Sequence, residues 1–306
     1  MPTYAKPATD YSGQVAILAG RGLVIADSAF AEHCLAHHNY YRLSAYRFPL
    51  TTVDNSDQFL PGTTFEQLWA LYDFDRRLRH LVLEACKRVE ISVRSRWAYE
   101  VGHKHGAQAY ENPSLFSDAV THTKALTKLD QEMERSTEDF IAHFRTTYGT
   151  KRPPIWAACE VMSFGQTSVL YKILADPSLR QIIADTYYLD EKALGSFLHH
   201  LNVVRNTCAH HARLWNRHFK ISLQPPISKP AHLIPSLDPV PIGVPNPKAP
   251  NEIYNTLVML AHMMDIIQPT IHWRHRLRAH VEAQIFPVAS HMGFPADWLI
   301  RPIWLP

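Results

Sequence analysis

The chain has 306 residues, 31 Lys+Arg against 28 Asp+Glu for a formal charge of +3, and 46% hydrophobic against 19% charged residues. That balance fills a core, and it excludes both a disordered polyelectrolyte and a polycationic tail that grips nucleic acid by bulk charge alone. Cys34, Cys86, Cys159 and Cys208 form no C-x-x-C pair, which argues against a disulfide scaffold or a thiolate zinc site.

Residues 14–47 read as two short helices broken at AGRG, with Asp27 or Ser28 placed to cap the second. After a polar link the longest periodic stretch begins at Thr63 or Thr64, where Glu66 or Gln67 completes a capping box. In it Leu68, Leu71, Phe74, Leu78, Leu81 or Val82, Ala85, Val89 and Val93 recur every three or four positions, so a long helix with one apolar face is expected as the spine of a bundle. An amphipathic segment follows over about 118–148, and Pro153-Pro154 starts a shorter helical one containing PIWAACEVMSFG. SLRQIIADTYY and a helix beginning near Asp190 come next. Nine prolines in the 26 positions from 225 to 250 predict an extended connection.

The chain turns helical again in NEIYNTLVMLAHMMDIIQPT and HWRHRLRAHVEAQIF, and Trp298, Ile300 and Trp304 are expected to pin the final loop. No long β-branched alternating run occurs outside the region of ISLQP. The expected class is therefore all-α. The expected division is a helical body over 1–224, a proline-rich connection over 225–250 and a docked helical segment over 251–306. A split into two separable domains at the prolines is the rival. No run of 18 apolar residues and no signal-peptide core is present, so a soluble cytoplasmic protein without a membrane partner is expected.

Polar chemistry concentrates in HHLNVVRNTCAHHARLWNRH, residues 199–218. On a continuous helix Asn202, Asn206, His210 and Arg213 would stack on one face with Arg217 beyond, and Arg205 would lie beside them. A single histidine such as His199, His200 or His218 is ordinarily a satisfied core residue. A metal site is disfavoured, because adjacent His210 and His211 point about 100° apart and no H-E-x-x-H is present. Guanidinium plus imidazole without an acid partner suits a phosphodiester instead, since one neutralises developing phosphorane charge and the other moves a proton.

The string RNTCAHHARLWN resembles the signature of the Abi-like (AbiD/AbiF type) abortive-infection family within the HEPN superfamily of all-α nucleic-acid-acting domains. Arg205-Asn206 followed by His210 matches the four-residue-gap form of the superfamily motif. NYYRLSAYRFPL, FEQLWALYDFDRRLR, WAACEVMSFGQTSVLY, NEIYNTLVML and HMGFPADW resemble family blocks in family order, so the likeness covers about residues 15–300. It implies a HEPN-like bundle with additional N- and C-terminal helices and a metal-independent endoribonuclease without cofactor, in which a ribose 2′-OH attacks the adjacent phosphate.

On that resemblance His210 is the general acid or base, Arg205 contacts the phosphate and Asn206 orients either one. A homodimer with a composite active site is implied, because the other Arg/His candidate, Arg135 with His143, has the wrong gap. The resemblance further implies phage defence by abortive infection, with RNA as substrate and an RNA or protein antitoxin as a further partner. A non-catalytic RNA-binding regulator using the same face is the alternative, and a structural adaptor the third reading.

His211, Arg213, Asn216 and Arg217 are the neighbouring candidates for RNA contact. Tyr41, Arg42 and Arg47 interleave aromatics with charge, a pattern that suits base stacking and equally suits core packing. In the long helix Asp73–Arg77, Glu84–Arg88 and Glu90–Arg94 form i,i+4 acid-before-base pairs, which reads as an internally paired surface. HWRHRLRAH reads as an auxiliary or partly screened basic face.

Overall fold

The computed structural model describes residues 7–52, 57–149, 152–239, 251–284 and 286–305. Twelve α-helices and no strand occur among them, so the fold is all-α as the periodicity dictates. The chain divides into two compact units, Met1–Leu78 and Arg79–Pro306. Of the proline-rich connection, residues 240–250 lie outside the described residues.

In the first unit α1 (Tyr11–Gly20) is capped by Asp10, whose carboxylate accepts from Gly13 N at 2.8 Å. Beyond it Gly22 sits at φ 88°, a left-handed turn that a Cβ would strain. α2 (Ser28–His38) is capped by Asp27. The two helices expected over 14–47 are in fact three: Asn39, at φ 44°, breaks the helix and caps the short α3 (Tyr40–Ser44) through Tyr41 N. Tyr46 is buried and donates to the equally buried Asp75 carboxylate at 2.5 Å.

α4 (Phe65–His105) has 41 residues, about 60 Å at 1.5 Å per residue. Its start is the anticipated capping box: Thr64 Oγ1 accepts from Gln67 N, and Gln67 Oε1 accepts from Thr64 N. Leu68, Leu71, Phe74, Leu78, Val82, Ala85, Val89 and Val93 are all buried. Asp73 pairs with Arg77 at 2.7 Å and Glu90 with Arg94 at 2.6 Å. Glu84 departs from the expected pattern: it holds Arg276 instead of Arg88, which donates to Gln268.

In the second unit the single segment expected over 118–148 is two helices, α5 (Ala119–Arg135) and α6 (Asp139–Tyr148), separated by extended backbone at Ser136 and Glu138. α7 (Ile155–Val161) stops before Ser163, which forms a capping box with Gln166 and starts α8 (Phe164–Ile173). α9 (Pro177–Asp185) and α10 (Glu191–Ala209) follow, each capped by an aspartate, Asp176 and Asp190.

α11 (Tyr254–Ile267) is buried at every position from Tyr254 to Met264, which makes it the centre of this unit. Its polar residues are satisfied: Asn255 exchanges two hydrogen bonds with the Asp238 backbone, Thr256 meets His200, and His262 meets Tyr187 O. α12 (Trp273–Glu282) docks through Trp273, whose indole donates to Leu81 O at 2.8 Å. Its arginines are engaged: Arg274 with Asp265, Arg276 with Glu84 and Arg278 with Glu282. Trp298 and Trp304 anchor the C-terminal loop, whereas Ile300, expected to do the same, is exposed.

Candidate functional site

α10 forms because Asp190 caps it, accepting from Lys192 N and Ala193 N, and because Ala193, Leu194, Phe197, Leu198, Leu201, Val204 and Cys208 supply a buried stripe. His200 lies on that stripe and is fully buried. Its Nδ1 contacts Ile221 O at 2.7 Å and its Nε2 contacts the Thr256 hydroxyl at 2.9 Å. A carbonyl only accepts, so Nδ1 carries the proton and Nε2 accepts from the hydroxyl.

Burial pushes the His200 pKa down to about 4 from the ordinary 6.5. A base so depressed contributes stability that is complete above pH 6.5 and is lost as the pH falls towards 4, about 3 kcal/mol for this one residue. Urea unfolding between pH 7 and 4 should therefore show falling stability, and His200→Gln should flatten that slope by about one proton. An unchanged slope would remove His200 as its source.

α10 ends at Ala209 in a Schellman turn: His211 N donates to Cys208 O and Ala212 N to Thr207 O, both at 3.0 Å. His211 takes the left-handed position, φ 56°, where glycine is usual. The reason is packing. Continuing the buried register past Cys208 would drive His211 into the core; the turn exposes it and lets Leu214 and Trp215 bury instead. Trp215 then donates to Val288 O. His211→Gly should stabilise the fold by about 1 kcal/mol, read as a higher urea midpoint; destabilisation would show that the imidazole's own contacts outweigh the backbone strain.

The stripe expected from Asn202 to Arg217 therefore stops at His210. Arg213, Asn216 and Arg217 lie beyond the turn, with Asn216 at φ 50° and Arg217 Nε donating to Arg213 O. What remains together is Arg205, Asn206 and His210. Arg205 Nη1 donates to the Asn206 side-chain oxygen at 3.3 Å, which draws the guanidinium across the helix towards the Asn206 face. Its side chain is 41% exposed. His210, one turn beyond Asn206, is the C-cap residue, exposed, with no ring hydrogen bond among the described residues.

Behind this edge lie residues whose spacing alone suggests no more than a surface pair. Glu90 faces Arg205 Nε at 3.9 Å and holds Arg94 at 2.6 Å. Arg94 is buried and also donates to Met162 O and Glu160 O at the α7–α8 junction. Glu160 in turn lines an open cleft of about 520 Å³ with Tyr99, His103 and Trp156, and both Tyr99 and Trp156 are exposed. Cys86 is fully buried, and burial, followed by the charges of Cys208 and Glu90, pushes its thiol well above the ordinary range, so it is a packing residue. The only sequence signal for this layer is the Glu90–Arg94 spacing.

Tyr41, Arg42 and Arg47 belong to the first unit. Tyr41 and Arg42 are exposed, and Arg47 is held by Asp57. No group of three or more His, Cys, Asp or Glu that could hold a metal ion occurs among the described residues, and no described helix is long and apolar enough to cross a membrane.

Fold and site together define an all-α protein with a solvent-facing Arg–Asn–His edge, a combination suited to an anionic group. The chain belongs to the Abi-like protein family, whose profile matches residues 33–216 and so spans α4, α10 and the whole Arg205–His210 edge. That family is associated with abortive infection, a form of phage defence. No curated protein and no solved structure matches the chain.

Proposed function

We propose that the protein is a metal-independent endoribonuclease of HEPN type that acts in phage defence by abortive infection. The observation that carries this reading is the Arg205–Asn206 hydrogen bond beside an unengaged, exposed His210 at the end of α10. Guanidinium, carboxamide and imidazole thus share one solvent-facing edge. The ribose 2′-OH gives its proton to an imidazole and attacks phosphorus; the bond to the 5′-oxygen breaks, leaving a 2′,3′-cyclic phosphate and a 5′-hydroxyl. Arg205 neutralises charge on the pentacovalent phosphate, and Asn206 fixes the guanidinium.

The leaving oxygen needs a proton while the 2′-OH loses one, and a single His210 performs one of these roles at a time. Two copies of the chain, each supplying His210, meet both needs. A homodimer is therefore part of the proposal, and an RNA or protein antitoxin is the restraint such a toxin requires. The exposed Tyr99 and Trp156 offer faces on which bases stack. A non-catalytic RNA-binding regulator is the second reading, favoured by Glu90, whose carboxylate competes with a phosphate for Arg205.

Incubating the pure protein with mixed RNAs, with and without EDTA, separates the two. Cleavage in EDTA that ends in cyclic phosphate supports the nuclease. Binding without cleavage favours the regulator.

A further inference from the structure

α8 and α10 run antiparallel and touch closely. A Cβ on Gly165, at the start of α8, would lie 3.3 Å from the Asn202 amide near the end of α10, and a Cβ on Gly195 would lie 3.4 Å from the Tyr171 ring. Along this seam α10 presents Lys192, Ser196, His199, Asn202 and Asn206 at spacings of four, three, three and four, one continuous polar face. The end remote from Asn206 opens into a cavity of about 350 Å³, which Lys172, Lys192, Ser196, His199 and Gln224 help to line.

The charge there is unbalanced. Neither Lys172 nor Lys192 makes an ion pair among the described residues. The neighbouring acids are committed: Glu191 pairs with Arg180 at 2.7 Å, and Asp190 caps α10. Burial, then the Lys172 ammonium, lowers the His199 pKa, so its imidazole is neutral near pH 7 and hydrogen-bonds without adding charge. Two unpaired ammonium groups beside a neutral imidazole and hydroxyl and amide donors form a pocket for a phosphate diester and its sugar.

We infer that the α8–α10 seam is a track for one RNA strand, with the reacting phosphate at Arg205 and Asn206 and a second backbone phosphate held by Lys172, Lys192 and His199. The inference rests on the RNA-directed reading above and adds how the strand is held. From Lys192 to Asn206 is about 21 Å of helix, the length of roughly six stacked nucleotides. Substrates shorter than that forgo the distal grip.

The test is fluorescence anisotropy of the full chain with a labelled 12-nucleotide 2′-O-methyl oligouridine, which lacks the free 2′-OH and stays intact. Lys172→Glu/Lys192→Glu is compared with Lys124→Glu/Lys128→Glu, an equal charge change on exposed lysines of α5 outside that cavity. The seam reversal is expected to weaken binding roughly tenfold or more and to lower the log–log salt slope by about 1.4, two contacts at ~0.7 each. The α5 reversal is expected to stay within about twofold.

Equal losses in both variants would reduce the effect to overall charge and overturn the track, as would an unchanged seam variant. Failure of the nuclease reading registers separately, as absent cleavage of the unmodified oligouridine by wild-type protein.

Discussion

His210→Ala is expected to lower RNA cleavage by about 100- to 10,000-fold, the range for removing a positioned proton-transfer group, while the unfolding midpoint stays close to wild type. The imidazole is exposed and makes no hydrogen bond to a described residue, and the turn that ends α10 is closed by backbone groups, which alanine keeps. Little of the fold depends on this side chain. Arg205→Ala is expected to cost about 100- to 1,000-fold, comparable to losing one donor to a developing oxyanion. Arg205→Lys should recover only part of it, since an ammonium does not reproduce the planar fork that reaches both Asn206 and a phosphate. Initial rates on a fluorogenic RNA measure all three. Wild-type rates in His210→Ala would sink the role assigned to it.

Glu90→Ala is expected to destabilise the fold as strongly as losing a large core side chain. Both members of the Glu90–Arg94 pair are largely buried, with side chains 15% and 10% exposed, and removing one partner of a buried pair leaves an uncompensated charge at a cost of about 3–5 kcal/mol. The lower end applies, because Arg94 keeps its bonds to the carbonyls of Met162 and Glu160. The shift in urea midpoint at constant slope measures it. The same variant frees Arg205 from the carboxylate 3.9 Å away, so RNA affinity should rise as stability falls. A variant as stable as wild type would show that the two carbonyls alone satisfy Arg94.

α4 is legible almost whole in the amino-acid order, because its information is local. Thr64 and Gln67 cap it through their own backbone, and the apolar residues from Leu68 to Val93 recur at the period of a helix. Asp27 and Asp190 mark helix starts for the same reason. The end of α10 is not legible in this way. Nothing in the spacing of Asn202, Asn206, His210 and Arg213 says that the helix stops after Ala209; the stop comes from the burial of Leu214 and Trp215 against distant chain such as Val288.

The fate of charges is equally hidden. Glu84 and Arg88 sit at ideal helical spacing and still choose Arg276 and Gln268, because α12 and the end of α11 arrive beside them. Ile300 looks like its neighbours Trp298 and Trp304 and faces water instead.

Helix class and the long spine thus follow from the order of amino acids, since capping and periodicity act over a few positions, and Arg205, Asn206 and His210 are picked out as candidates there by a short motif. Folding in three dimensions settled which of the polar candidates share an edge, that Glu90 and Arg94 stand behind Arg205, and that two glycines close the α8–α10 seam. Those outcomes depend on which surfaces bury one another across long stretches of chain, and no local pattern encodes the partner.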